Sequence, residues 1–128
     1  MQMVLSNNKL VMLYGFEENE IEKINEISEK HNLPKNKIID NRLANMKIES
    51  IIKGINLATE NAKIVKEKVV LFNNLEDSEL ESCIKFFKSE ITDNIIFAVV
   101  TKTSINWTFT ELLEHLLEER KFNNKRRR

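Results

Sequence analysis

A segment that recurs within the chain constrains its fold more than any other feature. Shifted by 59 residues, positions 9–22 (KLVMLYGFEENEIE) lie over 68–81 (KVVLFNNLEDSELE). Five of the fourteen positions are identical (Lys9/Lys68, Val11/Val70, Glu17/Glu76, Glu20/Glu79 and Glu22/Glu81), and most of the others keep their class. With the shift at 61, residues 38–40 (IID) lie over 99–101 (VVT), and 45–52 (NMKIESII) over 106–113 (NWTFTELL). Chance can supply one such match. Two in the same order imply duplication of one supersecondary unit.

Each copy reads as strand, helix, strand, helix. Residues 10–14 are a short apolar run between Asn7-Asn8 and Gly15, and 69–72 are their counterpart before Asn73-Asn74. Runs without polar alternation predict strands buried on both faces, as in parallel sheets covered by helices. Residues 95–100 form the longest such run and the best candidate for a central strand, while Ile38-Ile39 is the weakest strand signal. Leu80, Cys83, Ile84, Phe87 and Ile91 recur at steps of three and four and define one apolar helix face, as Ile21, Ile24 and Ile27 do in the first copy. That first helix should stop near His31-Asn32, because Pro34 disfavours helical backbone just before it. Thr108 can cap the last helix, with Glu111 reaching back to the Thr108 amide and Trp107 packing on Leu112 across the cap. Leu112, Leu113, Leu116 and Leu117 then carry its buried face, and Gly54 ends the helix before the connector.

The predicted fold is α/β: two pseudo-symmetric βαβα halves forming one mostly parallel four-stranded sheet flanked by helices. It is one domain over residues 1–122, with halves at 9–55 and 68–122, a connector at 56–67 and a basic tail at 123–128. An antiparallel join between the halves is the open alternative, and strand order is not readable from the pattern. Two sheet edges remain, and apolar edges predict pairing with a second copy as a homodimer, or with another protein.

Composition narrows the compartment and the chemistry. Cys83 is the only cysteine of the 128 residues, which excludes internal disulfides and all-cysteine metal sites and fits a reducing cytoplasm. No apolar run approaches the roughly 18 residues of a membrane span. The start, MQMVLSNNK, lacks the charged and apolar regions of a secretory signal. A cytoplasmic protein without membrane contact is expected. Twenty basic and twenty acidic residues balance overall, yet six of the bases and none of the acids lie from Arg120 onward. The body is acidic and its end basic.

Ligands of open parallel sheets bind beyond the carboxyl ends of the strands. The richest of those ends offers Thr101, Lys102, Thr103, Ser104 and Asn106 ahead of a helix N-terminus, whose free amides attract anions. Asp40, Asn41 and Arg42 form the equivalent loop of the first copy. A small anion, phosphate or carboxylate, held by Lys102, Thr103 and Ser104 is the ligand reading. A solvated, capped loop is the simpler one, since no glycine-rich phosphate motif is present. The acids at 17–22 and 76–81 complement helix dipoles, and Cys83 falls on an apolar helix face as inert filling. His115 sits between Glu111 and Glu119 on a polar face without a second histidine, so no metal site is predicted. Trp107 reads first as a packing residue and second as a platform for a ligand ring. Lys125, Arg126, Arg127 and Arg128 could neutralise nucleic-acid phosphates, but the acidic body opposes a polyanion and no aromatic platform accompanies them.

From residue 68 the chain resembles a small bacterial family, domain of unknown function 3783. The resemblance is carried by KVVLFNNL, ELESCIKFF, IIFAVVTKTSINW and TELLEHLLEER, and in particular by Thr101, Asn106, Trp107, Leu112, Leu113, Glu118 and Glu119. It covers residues 68–120, and the first half reads as a divergent copy. The family implies no activity, cofactor or catalytic residue. No nucleophile–base pair, metal cluster or phosphate loop is assembled by the sequence, so the leading reading is a non-enzymatic interaction or regulatory module that needs no cofactor. The alternatives are a binder or enzyme of small anionic molecules at the 101–106 loop, and a nucleic-acid binder acting through the tail.

Overall fold

The computed structural model describes residues 9–55 and 60–126. Strands β1 (Leu10–Tyr14), β2 (Asn36–Ile38), β3 (Val69–Asn73) and β4 (Ile96–Val99) form one four-stranded sheet in the order β2-β1-β3-β4. The sheet is mixed. β1 is parallel to β2 and β3 to β4, while β1 and β3 are antiparallel. The helices are α1 (Glu18–Lys30), α2 (Ile48–Ile52), α3 (Asp77–Phe86) and α4 (Phe109–Arg126). Short 3-10 turns span Leu43–Asn45 and Ser104–Asn106, and α3 runs into a π-helical turn at Phe87–Ile91.

One expectation is corrected here. The 95–100 run does not supply a central strand, because β4 lies at the outer edge and the centre belongs to β1 and β3. A central strand must be covered on both faces and paired on both sides. β1 is buried at all five positions and β3 at four of five, whereas β4 is half-buried with Val99 exposed. Run length measures hydrophobicity, and only burial separates the two kinds of strand.

The residues described divide into two compact units, each drawing on both halves of the sequence. The first comprises residues 9–40 and 65–100, and the second 41–55, 60–64 and 101–126. In the first, one face of the sheet presents Val11, Leu13, Val70 and Phe72 to Ile24 of α1, Cys83 of α3 and Phe87 of the π turn. Leu33, Leu80, Ile84 and Phe97 close the margin of this core. Burying side chains of this size stabilises by about 1.5–3 kcal/mol each. The helix periodicity seen in the sequence is therefore the face that meets the sheet.

Recurring residues occupy matching local settings in this unit. Glu17 and Glu76 each cap a helix, and their amides donate to the Glu20 and Glu79 carboxylates at 2.9 Å. These acid clusters are thus reciprocal capping boxes. Gly15 and Asn74 both follow a central strand with positive φ, +85° and +63°. Only glycine suits the first position, since a Cβ there would stand 2.0 Å from the Glu67 carbonyl oxygen. Helix α1 ends at Lys30 with His31 as its C-cap, as Pro34 requires.

In the second unit two turn–helix segments lie side by side. Lys47 and Thr108 form an isolated antiparallel bridge, with Ile48 N–H donating to the Trp107 carbonyl (2.8 Å) and Phe109 N–H to that of Met46 (3.2 Å). The shift of 61 superimposes Lys47 on Thr108. Thr108 and Glu111 exchange the predicted capping bonds, 2.9 and 3.1 Å. Helix α4 continues to Arg126, so residues 123–126, expected as solvated tail, have helical backbone, while Arg127 and Arg128 lie outside the described residues. Of the connector, 60–67 carries no helix or strand and 56–59 lie outside the described residues.

Candidate functional site

The 101–106 loop is built around a hydroxyl pair. Thr101 N–H donates to Ser104 Oγ (2.9 Å), Ser104 N–H to Thr101 Oγ1 (3.0 Å), and the two hydroxyls lie 3.1 Å apart. This tie lets Ser104 be buried at 3% exposure with its polar atoms satisfied. Thr101, Lys102, Thr103 and Asn106 are exposed, and the Asn106 amide turns back to the Lys102 carbonyl at 3.5 Å. The 41–46 loop has the same backbone pattern, with Asn45 N–H on the Arg42 carbonyl as Asn106 N–H is on that of Thr103. Arg42 is exposed and Asn41 half-buried, its carbonyl taking the Ala62 N–H at 2.7 Å. Asp40 ends the first segment of the first unit and is exposed.

The structure thus brings the two loops together through the Lys47–Thr108 bridge and sets their cations at the surface. It also fills the start of α4. Phe109 N–H is taken by the Met46 carbonyl and Glu111 N–H by Thr108 Oγ1, and the Glu111 carboxylate lies on the Thr108 amide. An anion approaching this helix start meets occupied donors and a negative charge. Trp107 is half-buried and stacks on His115, ring centroids 4.2 Å apart and 10° between planes. His115, expected only as a polar-face residue, is therefore also the stacking partner of Trp107.

Sequence reasoning missed two features. The first is a crossed pair of ion pairs: Lys9 Nζ lies 3.0 Å from Glu79, and Lys68 is bonded to Glu20, the same pair with the halves exchanged. Identity at Lys9/Lys68 and Glu20/Glu79 was the available signal. Burial opposes the charge on Glu20, but the Glu17 amide and Lys68 outweigh it and hold its carboxyl below the usual range. For Glu79 the Glu76 amide and Lys9 do the same, and the bond to Glu79 raises Lys9 in turn. The second is a small apolar hollow of about 10 Å³ among Ile24, Ile27, Leu33, Phe86, Phe87 and Ile91. It is at the limit of holding one water, and His31 stacks on Phe86 beside it at 4.3 Å.

Among the described residues no group of three or more His, Cys, Asp or Glu is placed to hold a metal, and no helix is long and apolar enough to cross a membrane. Cys83 is buried in the core, and desolvation there, helped by the nearby Glu79 charge, pushes its thiol up to about 11. At neutral pH it is a thiol.

The fold defines an α/β protein with a mixed four-stranded sheet. Residues 68–122, from Lys68 through β3, α3, β4 and the hydroxyl-tied loop to Phe122, match the model of the family described as Domain of unknown function (DUF3783). No curated protein and no solved structure matches the chain.

Proposed function

We propose that the chain is a non-enzymatic protein-interaction module of the cytoplasm, built by duplication of one βαβα unit with approximate two-fold symmetry between its halves. The duplication is supported by pairings between shift-related residues. Met12 faces Leu71 in the central ladder, Lys47 faces Thr108, and the Lys–Glu pairs are crossed between the halves.

One observation carries the interaction reading. Each outer strand exposes a large apolar side chain at the same repeat position, Ile38 on β2 and Val99 on β4, both at 49%. Exposed apolar residues on strands with an open outer edge are what a partner covers. Two groups suited to nucleophilic chemistry are otherwise engaged, Ser104 by Thr101 and Cys83 by the core. Native mass spectrometry of the purified protein tests the reading. The expected result is an assembly of protein subunits without a small-molecule adduct.

A stoichiometric small adduct overturns it in favour of an anion held by Lys102, Thr103, Ser104 and Arg42, with Thr101, Asn106 and Asn41 of the same unit beside them. The adjoining, exposed loops of Arg42 and Lys102 support that second reading. The nucleic-acid reading is supported by the continuation of α4 into Lys125 and Arg126. It predicts binding that weakens steeply with salt and is lost on deleting residues 125–128.

A further inference from the structure

We propose that a second copy of this chain pairs antiparallel along β4, with Ala98 facing Ala98 of the second copy across a two-fold axis. The two sheets would then join into one of eight strands, twice the four among the described residues of a single chain. This rests on the interaction reading above and names both the partner and the edge it uses.

Both outer strands turn alternate peptide groups outward. Ile96 and Val100 donate inward, to the Lys68 and Phe72 carbonyls at 2.9 Å, so the amides of Phe97 and Val99 face away from β3. On β2 the inward bonds run from Val11 to the Lys35 carbonyl and from Ile39 to that of Leu13, which leaves Asn36 and Ile38 outward. Among the described residues no hydrogen bond reaches the outward amides of Phe97 and Val99.

The two edges have the same geometry and different residues. The shift of 61 puts Phe97, Ala98 and Val99 where β2 has Asn36, Lys37 and Ile38. Antiparallel self-pairing about the middle residue makes Phe97 and Val99 of the second copy exchange both hydrogen bonds, with Ala98 opposite itself. The same pairing on β2 sets Lys37 against Lys37, and like charges directly opposite are destabilising. The Asn36 side chain is also tied to α1, donating to Asn25 Oδ1 (3.0 Å) and Ser28 Oγ (3.1 Å). Lysine on an edge blocks pairing, and β4 carries none. Lys88 Nζ stands 5.9 Å over the Phe97 ring, on the face of the sheet and not along its hydrogen-bonding edge.

Charge favours the antiparallel sense. Asp93 lies three residues before β4 and Lys102 three residues after it, both exposed and neither in an ion pair among the described residues. Antiparallel pairing sets the acidic end of one strand against the basic end of the other, and parallel pairing would set like with like. One open edge per chain closes the assembly at two copies, whereas two open edges would permit a filament.

The test is size-exclusion chromatography with light scattering at roughly 0.1 mM protein, since dimer population follows concentration. Wild type is expected at twice the 15.1 kDa chain mass. Val99→Lys and Val99→Pro are expected at the single-chain mass with an unchanged far-ultraviolet circular dichroism spectrum. Val99 is half exposed and its amide points outward, so proline there spares the ladder to β3. Ala98→Cys is expected to cross-link two chains on mild oxidation, Cys83 being buried. A single-chain mass for wild type overturns the proposal, as does a Lys37→Cys cross-link in place of the Ala98→Cys one. A dimer that survives both Val99 variants also overturns it while leaving the interaction reading standing on another surface. A small-molecule adduct in the native mass spectrum defeats the interaction reading itself.

Discussion

Lys9, Glu20, Lys68 and Glu79 show how a few side chains serve two purposes at once. Each glutamate accepts from a helix-capping amide and from the lysine of the other sequence segment, so one carboxylate closes a helix and joins two parts of the first unit. Both carboxyls titrate below the ordinary glutamate range. Their contribution to stability is therefore present above the unfolded value of about 4.3 and is lost as pH falls through the lower folded value. A wild-type thermal midpoint that drops between about pH 6 and about pH 3 should drop less steeply in the Glu20→Gln/Glu79→Gln double variant. Gly15 and Gly54 make a matched pair for backbone strain, with φ of +85° and +80°. Alanine at 15 meets the Glu67 carbonyl oxygen at 2.0 Å, while alanine at 54 meets nothing within 4 Å. Urea denaturation should show a loss of about 2 kcal/mol or more for Gly15→Ala and about 1 kcal/mol for Gly54→Ala.

At the scale of elements, the caps were readable to different degrees. Thr108 and Glu111 announce a capping box in residue type and spacing, and the structure contains it. The boxes at Glu17–Glu20 and Glu76–Glu79 use glutamate as the cap, so they read in sequence only as acids near a helix start. Thr108→Ala should cost about 1 kcal/mol in chemical denaturation with the denaturant slope unchanged, since it removes the acceptor for the Glu111 amide and leaves the fold in place. The candidate loop divides the same way. Its polar residues were visible as a list, but the Thr101–Ser104 tie that takes up the hydroxyls depends on a turn geometry no residue count contains. His115 was legible as a polar-face residue, yet its stack on Trp107 needs two rings to meet across a turn.

For the whole molecule, the strand order places the two best covered strands at the centre, paired on both sides. Amides of 11–13 and 70–72 should therefore exchange with solvent only by global unfolding. Those of the outer strands, half-buried and paired on one side, should exchange through smaller openings, which hydrogen exchange read by NMR will distinguish. Internal recurrence, the four short apolar runs and the helical periodicities were properties of the sequence alone, and they determined an α/β chain with four strands and an apolar face on its longer helices. These are local quantities, set by which residue types follow one another along the backbone. The sense of the join between β1 and β3, the edge position of β4, the crossed lysines and the grouping of residues into units that each take part of both halves came only with the tertiary structure. They depend on which distant segments compete best for the same hydrogen bonds and the same buried surface, and that competition has no signature in any one stretch of chain.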